Sequence, residues 1–252
     1  MTSRWEGGIP INERERHRLL GEKVWQMAEA GYKRPGVEIL PLSKETLQDR
    51  VYRQITSLIL EGGIVPGEMV PVQSLADAFG VSAMPVREAL RRLTAANALT
   101  VVSGRSIGIP RLSRAKLTDL RNVRIEIESL AGKWAAERIQ HDEIETLRSL
   151  LESLEDANAS GDIKSYLRAN YAFHFSIYRA AGSESILNII ENLWLQVSPY
   201  FNMLHDSGNY TKANEHHRAM FAALCAHDGD AVRIAIQSDI DAAYDVLVEL
   251  VS

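Results

Sequence analysis

The chain has 252 residues, 46% of them hydrophobic and 24% charged, with a formal net charge of −5. That length suits one large domain or two modest ones, and the balance is ordinary for a soluble globular protein. Three classes are set aside at once: no apolar run approaches the roughly 18 residues of a membrane span, no secretory leader pattern opens the chain, and the lone Cys225 excludes an internal disulfide or a multi-cysteine zinc site. A cytoplasmic protein without a membrane partner is expected.

The charge is segregated. Residues 1–42 hold 7 basic and 6 acidic side chains, residues 43–114 hold 9 and 6, and residues 115–252 hold 12 and 21. A basic segment attached to an acidic one is compatible with nucleic-acid binding, because phosphates respond to the local surface and not to the whole-chain balance.

Along the chain, residues 1–42 read as an extension, with a predicted helix from about Asn12 to Ala30 carrying Leu19, Leu20, Trp25 and Met27, then breakers at Gly31, Pro35, Gly36 and Pro41. Residues 43–110 read as three short helices and a hairpin. Ser43 or Thr46 can cap a first helix whose apolar residues are Leu47, Val51, Ile55 and Leu58. Gly62-Gly63 ends it and Pro66-Gly67 turns. Ser74–Phe79 forms a second helix, with Leu75, Ala76 and Phe79 inward. Gly80-Val81-Ser82 is a tight turn, and a third helix starts at Ser82 with Pro85 in its first turn and Val86, Ala89, Leu90 and Leu93 inward. Two short helices joined by a glycine-containing turn have the form of a helix-turn-helix. Leu99–Val102 and Ile107–Ile109, around Gly104-Arg105-Ser106, read as two strands of a wing.

The stretch LILEGGIVPGEMVPVQSLADAFGVSAMPVREALRRLTAANAL resembles the DNA-binding domain of the GntR family, in its PGE turn, its LA..FGVS.MPVREALRRL run and its helix-before-helix-turn-helix order. The C-terminal remainder of the chain resembles the FCD sensor domain through weaker, more scattered matches. The resemblance implies a mainly α protein: an N-terminal winged helix-turn-helix over 43–110 and a C-terminal antiparallel all-α bundle over 113–252. It places Gln73, Ser82, Ala83, Met84, Pro85 and Arg87 toward DNA, with Arg105 and Ser106 on the wing. The third helix also exposes Arg91 and Arg92; arginine there can contact phosphates or bind guanine with two hydrogen bonds. Ala83 stands where the family usually has a basic residue, and Ala98 and Ser106 where glycines are common, which should alter sequence preference or affinity and not the fold. The competing reading makes these arginines a solvated face paired with Glu88 and Asp77.

From Ser113 onward the pattern is helical, with spans near 113–140, 142–158, 162–181, 183–205, 211–227 and 229–251 and breaks near Gly161, Gly182, Gly208 and Gly229. Polar residues inside the apolar stripes are informative, because a buried charge without a partner is costly. Arg124 lies in the stripe Leu117, Leu120, Ile127, Ala131, Ala135, with Glu128 at its edge. Asn170 and His174 face inward at i, i+4. His217 points inward whereas His216 does not, and Asp239 interrupts Val232, Ala235/Ile236, Ala243, Val246/Leu247. The stripe Ile186, Ile190, Leu193, Val197 and Phe201 or Leu204 is clean. His205 and His227 fall near helix ends, in capping or surface positions.

These polar residues suggest one shared cavity able to hold a divalent metal and the carboxylate of a small acid. The FCD resemblance implies a metal set of an Asp, a His four residues later, and one His on each of the last two helices; the matching positions are Asn170, His174, His217 and Asp239. Two imidazoles, a carboxylate and waters can hold zinc, nickel or manganese. Alternatively, the cavity is metal-free and His174 and Asp239 bond each other or the effector. Arg124 is expected to meet an anionic effector; an i, i+4 pair with Glu128 is the competing assignment. The function expected is a ligand-responsive DNA-binding regulator, a repressor, working as a homodimer on double-stranded operators. The alternatives are a metal-dependent hydrolase-like enzyme using His174, His217 and Asp239 to activate water, and a helical interaction module whose winged helix contacts protein.

Overall fold

The computed structural model describes residues 33–34, 37–38, 46–103 and 106–251. The chain divides into two compact units, 1–46 and 47–252. The first contains an antiparallel pair, β1 (Lys33–Arg34) and β2 (Val37–Glu38), with Lys33 opposite Glu38. The helix expected over 12–30 lies outside the described residues.

The second unit opens with α1 (Leu47–Leu60), whose buried row is Val51, Ile55 and Ile59 at i, i+4, i+8. Leu47 is exposed and Leu58 only half-buried, so the inward row is rotated from the one the spacing suggested. Next comes a strand that sequence reasoning missed: β3 (Met69–Pro71) pairs with β5 (Ser106–Gly108), which also pairs with β4 (Thr100–Ser103), in the order β3-β5-β4. Pro71 cannot donate to a ladder, and β3 is tolerated because it is an edge strand. The second helix, α2 (Val72–Phe79), begins two residues earlier than predicted. Gly80 closes it with φ 65°, where Val81 N–H bonds to Ala76 O at 3.0 Å, and this left-handed cap redirects the chain into α3 (Ala83–Ala95). Val86, Ala89, Leu90 and Leu93 of α3 are buried as expected.

The bundle comprises α4 (Arg114–Arg138), α5 (His141–Ser160), α6 (Ile163–Ala180), α7 (Glu184–Val197), α8 (Asn209–Cys225) and α9 (Gly229–Leu250). Ser113, Asp162, Ser183 and Asp228 each cap a helix start by accepting a first-turn N–H. The predicted span 183–205 is not one helix. It ends at Val197 and continues as a 3₁₀ segment, Ser198–Ser207, because Pro199 has no N–H for an α-helical bond and its ring crowds the preceding turn. On α4, Glu128 is fully buried and not at the stripe's edge, whereas Ile127 is half-buried. Among the described residues no helix is long and apolar enough to cross a membrane.

The winged helix and the bundle share one continuous hydrophobic core. They pack tightly at Gly62, where φ is +72° and a Cβ would stand 2.5 Å from Leu167 Cδ1 and 2.8 Å from Asn202 Nδ2. Gly62→Ala combines a left-handed backbone with overpacking, and a loss of roughly 1–3 kcal/mol in urea unfolding is expected; an unchanged midpoint would contradict this packing.

Candidate DNA-reading face and effector cavity

On the winged helix, Ser82 holds the N-cap backbone position of α3, but its side chain makes no cap bond and is exposed. The first-turn N–H groups of α3 therefore lack a side-chain acceptor from Ser82, the arrangement that suits an incoming phosphate. Met84 is 71% exposed and Ala83 half-buried. Pro85 is buried, so it belongs to the packing of the first turn and not to the exposed face. Arg87, Arg91 and Ser106 line one open groove between α3 and the sheet. Arg105 lies outside the described residues. Gln73 donates to Asp77 at 2.8 Å, Arg91 donates to Glu88 at 2.6 Å, and Arg92 pairs with Asp49 at 3.1 Å while standing 3.8 Å over the Tyr52 ring. The pairing with Glu88 that the competing reading offered exists for Arg91, while Asp77 accepts from Gln73. Such exposed pairs are weak, and a phosphate can displace them.

In the bundle, the inward polar residues of α4, α6, α8 and α9 converge. Arg124 (5% exposed) grips Glu128 with two bonds, Nε to Oε1 at 2.6 Å and Nη2 to Oε2 at 3.3 Å. Tyr178 OH donates to Glu128 Oε2 at 2.6 Å. Its oxygen then faces His174 Nδ1 at 3.2 Å and can only accept there, so Nδ1 carries the proton. On α8, His217 Nδ1 stands 3.3 Å from Asn214 Oδ1, an acceptor, which fixes the same tautomer. Both Nε2 atoms consequently carry lone pairs, and they face each other at 3.1 Å. Asp239, 13% exposed, brings its carboxylate to 3.5 Å from His174 Nε2 and 3.7 Å from His217 Nε2.

This donor set fits a divalent ion. Ligand bonds of about 2.0–2.2 Å put the ligand atoms roughly 3–3.5 Å apart around a tetrahedral or octahedral centre, close to the spacing found here. His174, His217 and Asp239 are the described His, Cys, Asp or Glu side chains that cluster in this way. Asn170 lines the adjoining cavity of about 30 Å³ with Arg124, Trp194, Phe201, Asn209 and Asp239.

Burial dominates the site's electrostatics. It holds His174 well below the usual histidine range, reinforced by His217 and Arg124, and lowers His217 to about 3. Burial raises Asp239 to about 7, with Arg124 opposing and Glu128 adding to the rise. It also drives the Tyr178 hydroxyl up, together with Glu128. Arg124 is opposed by its own burial, but Glu128 outweighs this and keeps it charged.

Tyr178, Asn214 and Trp194 were not singled out from the sequence. Tyr178 lies four residues after His174 and Asn214 three before His217, so both share an inward row already identified, and the helical spacing could have flagged them. Trp194 is buried beside the predicted Leu193, lines the cavity, and its indole N–H has no acceptor among the described residues. His227 bonds Ala136 O at 2.8 Å and His205 pairs with Asp206 at 2.9 Å, both at helix ends.

A winged helix whose exposed arginines flank an open groove, joined to a helical bundle with a buried polar cavity, defines a DNA-binding transcriptional regulator. The chain belongs to the GntR family: residues 47–109 match the model for bacterial regulatory proteins of the gntR family, and residues 119–242 match the FCD domain. It is 31% identical over 175 residues to the HTH-type transcriptional regulator McbR of Escherichia coli (strain K12), spanning 68% of this chain and 79% of that protein. It is 26% identical over 192 residues to the HTH-type transcriptional repressor GlaR of the same strain, spanning 70% and 84%. The solved structure of E. coli McbR/YncC superposes with a TM-score of 0.74 at 27% identity, covering 82% of this chain and 99% of that one. The family and these relatives are transcriptional regulators and not enzymes, which removes the hydrolase alternative.

The buried groups make stability depend on pH in protein kept in chelator. His217 sits below its unfolded value near 6.5, so the stability it contributes is present above that pH and is lost as pH falls from about 6.5 toward 3. Asp239 sits above its unfolded value, so its contribution is present below about 3.9 and is lost as pH rises through about 7. In thermal melts the advantage of Asp239→Asn over the wild type should be small near pH 4 and grow as pH rises to 8. A variant less stable at pH 8 would contradict the assigned burial.

Proposed function

We propose that this regulator is a repressor controlled by a small organic acid, which enters the bundle cavity beside a divalent metal held by His174, His217 and Asp239. The observation that carries the reading is the pair of imidazole lone pairs turned toward each other, next to a buried carboxylate. A cation between them relieves the lone-pair repulsion and neutralises the carboxylate. Zinc, nickel and manganese all suit two nitrogens and one oxygen, with Asn170 or water completing the shell. When bound, the ion supplies positive charge for the carboxylate of the effector. Arg124 adds to that potential from the cavity wall while remaining locked to Glu128. Tyr178 and Asn214 orient the two imidazoles, the usual task of residues behind metal ligands.

The cavity of about 30 Å³ accepts an ion and a water or two. An acid larger than that needs the surrounding helices to separate, so it favours a more open bundle, and its differential affinity sets how far the DNA heads can be shifted. Repression is supported by the name of the relative GlaR. A two-fold homodimer reading a near-palindromic operator suits a protomer with a single recognition helix. Val123 and Leu130 on α4 and Ile189 on α7 are exposed apolar residues available to such an interface. A protein that reads operator DNA acts beside the genome, in the cytoplasm.

The test has two arms. Chelator-stripped full-length protein titrated calorimetrically with Zn²⁺, Ni²⁺ or Mn²⁺ should bind one equivalent per chain, and His174→Ala or His217→Ala should abolish it. Absence of stoichiometric binding to all three ions would overturn the metal reading. In gel retardation on DNA upstream of its own gene, Arg87→Ala should weaken binding roughly 5- to 150-fold. Equal retention of unrelated DNA by the wild type at moderate salt would overturn operator reading.

A further inference from the structure

The 3₁₀ segment Ser198–Ser207 touches both functional parts of the molecule. A 3₁₀ helix has three residues per turn, so residues i and i+3 eclipse and form three ridges. One ridge, Phe201 and Leu204, is buried and lines the cavity. The other two carry Tyr200 and Asn202, which reach the winged helix. Tyr200 OH donates to Pro110 O at 2.7 Å and accepts from Leu112 N–H at 2.9 Å, which clamps the linker between the two domains. Asn202 Nδ2 donates to Gly62 O at 3.2 Å, just beyond the C-terminal end of α1. The covalent connection of the DNA-binding head and its nearest packed helix are therefore both held by neighbouring residues of one turn.

The cavity side is tied as directly to the imidazoles. Tyr210 OH donates to Phe201 O at 3.0 Å, and its ring stacks on Tyr166 at 3.9 Å between centroids. Tyr166 OH bonds Asn214 Oδ1 at 3.2 Å, the same oxygen that orients His217. Long 3₁₀ runs have poor hydrogen-bond geometry and often mark hinges. A ten-residue run at this junction is thus an element with low resistance to rearrangement. Two further polar ties join the domains: Ser198 Oγ, on the cavity ridge, donates to Ile59 O at 3.5 Å, and Arg168 pairs with Glu61 at 3.1 Å in an exposed, weak contact.

We propose that the 3₁₀ segment is the element through which the cavity sets the attitude of the DNA-binding head, with Tyr200 and Asn202 as its positioning residues. Occupancy of the cavity displaces or fixes the Phe201–Leu204 ridge, and the eclipsed geometry carries that change to the opposite ridges and so to the linker and the end of α1. The inference rests on the proposed function for what occupies the site, but the coupling itself stands on contacts within this chain.

Hydrogen–deuterium exchange on the full-length protein, with Zn²⁺ alone as the probe, tests it. In the wild type, Zn²⁺ should slow exchange in peptides covering 170–178 and 213–220, and also change it at least threefold in peptides covering 59–63 and 110–113. Tyr200→Phe and Asn202→Ala should bind Zn²⁺ as tightly as the wild type while the change at 59–63 and 110–113 disappears. A head response that survives in both variants overturns the proposal, as does a wild type that binds Zn²⁺ with no response at the head. A metal-free arm separates this proposal from the metal reading. Phe201→Ala should accelerate exchange at 59–63 and 110–113, whereas Leu147→Ala, an equally deep truncation on α5, should not. If Zn²⁺ fails to bind at all, the metal reading falls and this second comparison alone decides; equal effects of the two truncations would then refute the coupling.

Discussion

The interior of the bundle holds an arginine and a glutamate joined by two hydrogen bonds. Arg124 and Glu128 are one helical turn apart on α4 and both are removed from solvent, so each is tolerable only as the other's partner. From that pair a chain of hydrogen bonds runs through Tyr178 to His174 and fixes which ring nitrogen keeps its proton. The His174 lone pair turned toward Asp239 is a consequence of this chain, and that of His217 follows from Asn214. Residues that only held the bundle together would be served as well by hydrocarbon, since apolar replacement of a buried ion pair is often neutral or stabilising. Two charges, two imidazoles and a carboxylate gathered in one place are what the proposed ligand site rests on.

The DNA-reading face obeys the opposite logic. Arg91 and Arg92 are exposed and pair with Glu88 and Asp49 at the surface. Weak pairs keep the side chains extended without committing them, and a phosphate backbone competes for them effectively. Rigidity comes from beneath, from Val86, Ala89, Leu90 and Leu93 of α3 packed in the shared core. A firm apolar floor under a loosely paired charged surface suits a module that binds and releases.

Several discrepancies between sequence pattern and structure share a cause. The edge strand Met69–Pro71 was invisible because three residues ending in proline carry no period, and only pairing with β5 makes them a strand. The long helix expected over 183–205 preserved its apolar spacing across Pro199, since Phe201 and Leu204 face inward in either geometry; the missing N–H changes the backbone without disturbing the pattern. Glu128 looked peripheral on a helical wheel, yet packing from several sides buries it completely.

Local periodicity and turn chemistry were enough to outline the short helices and the candidate wing, which the GntR resemblance joined into a winged helix-turn-helix, and to mark the helical remainder and the polar side chains on inward faces, because each depends on residues within a turn or two of one another. The same reasoning put Arg124, Asn170, His174, His217 and Asp239 on apolar stripes. It could not say which of them meet. His174 and His217 are 43 positions apart on different helices, and their Nε2 contact depends on how α6 and α8 are rotated and crossed, which short-range spacing does not encode. The tautomers, the burial that shifts Asp239, and the span from cavity to DNA-binding head across Ser198–Ser207 belong to the tertiary structure alone, since each arises from groups brought together only when the helices pack.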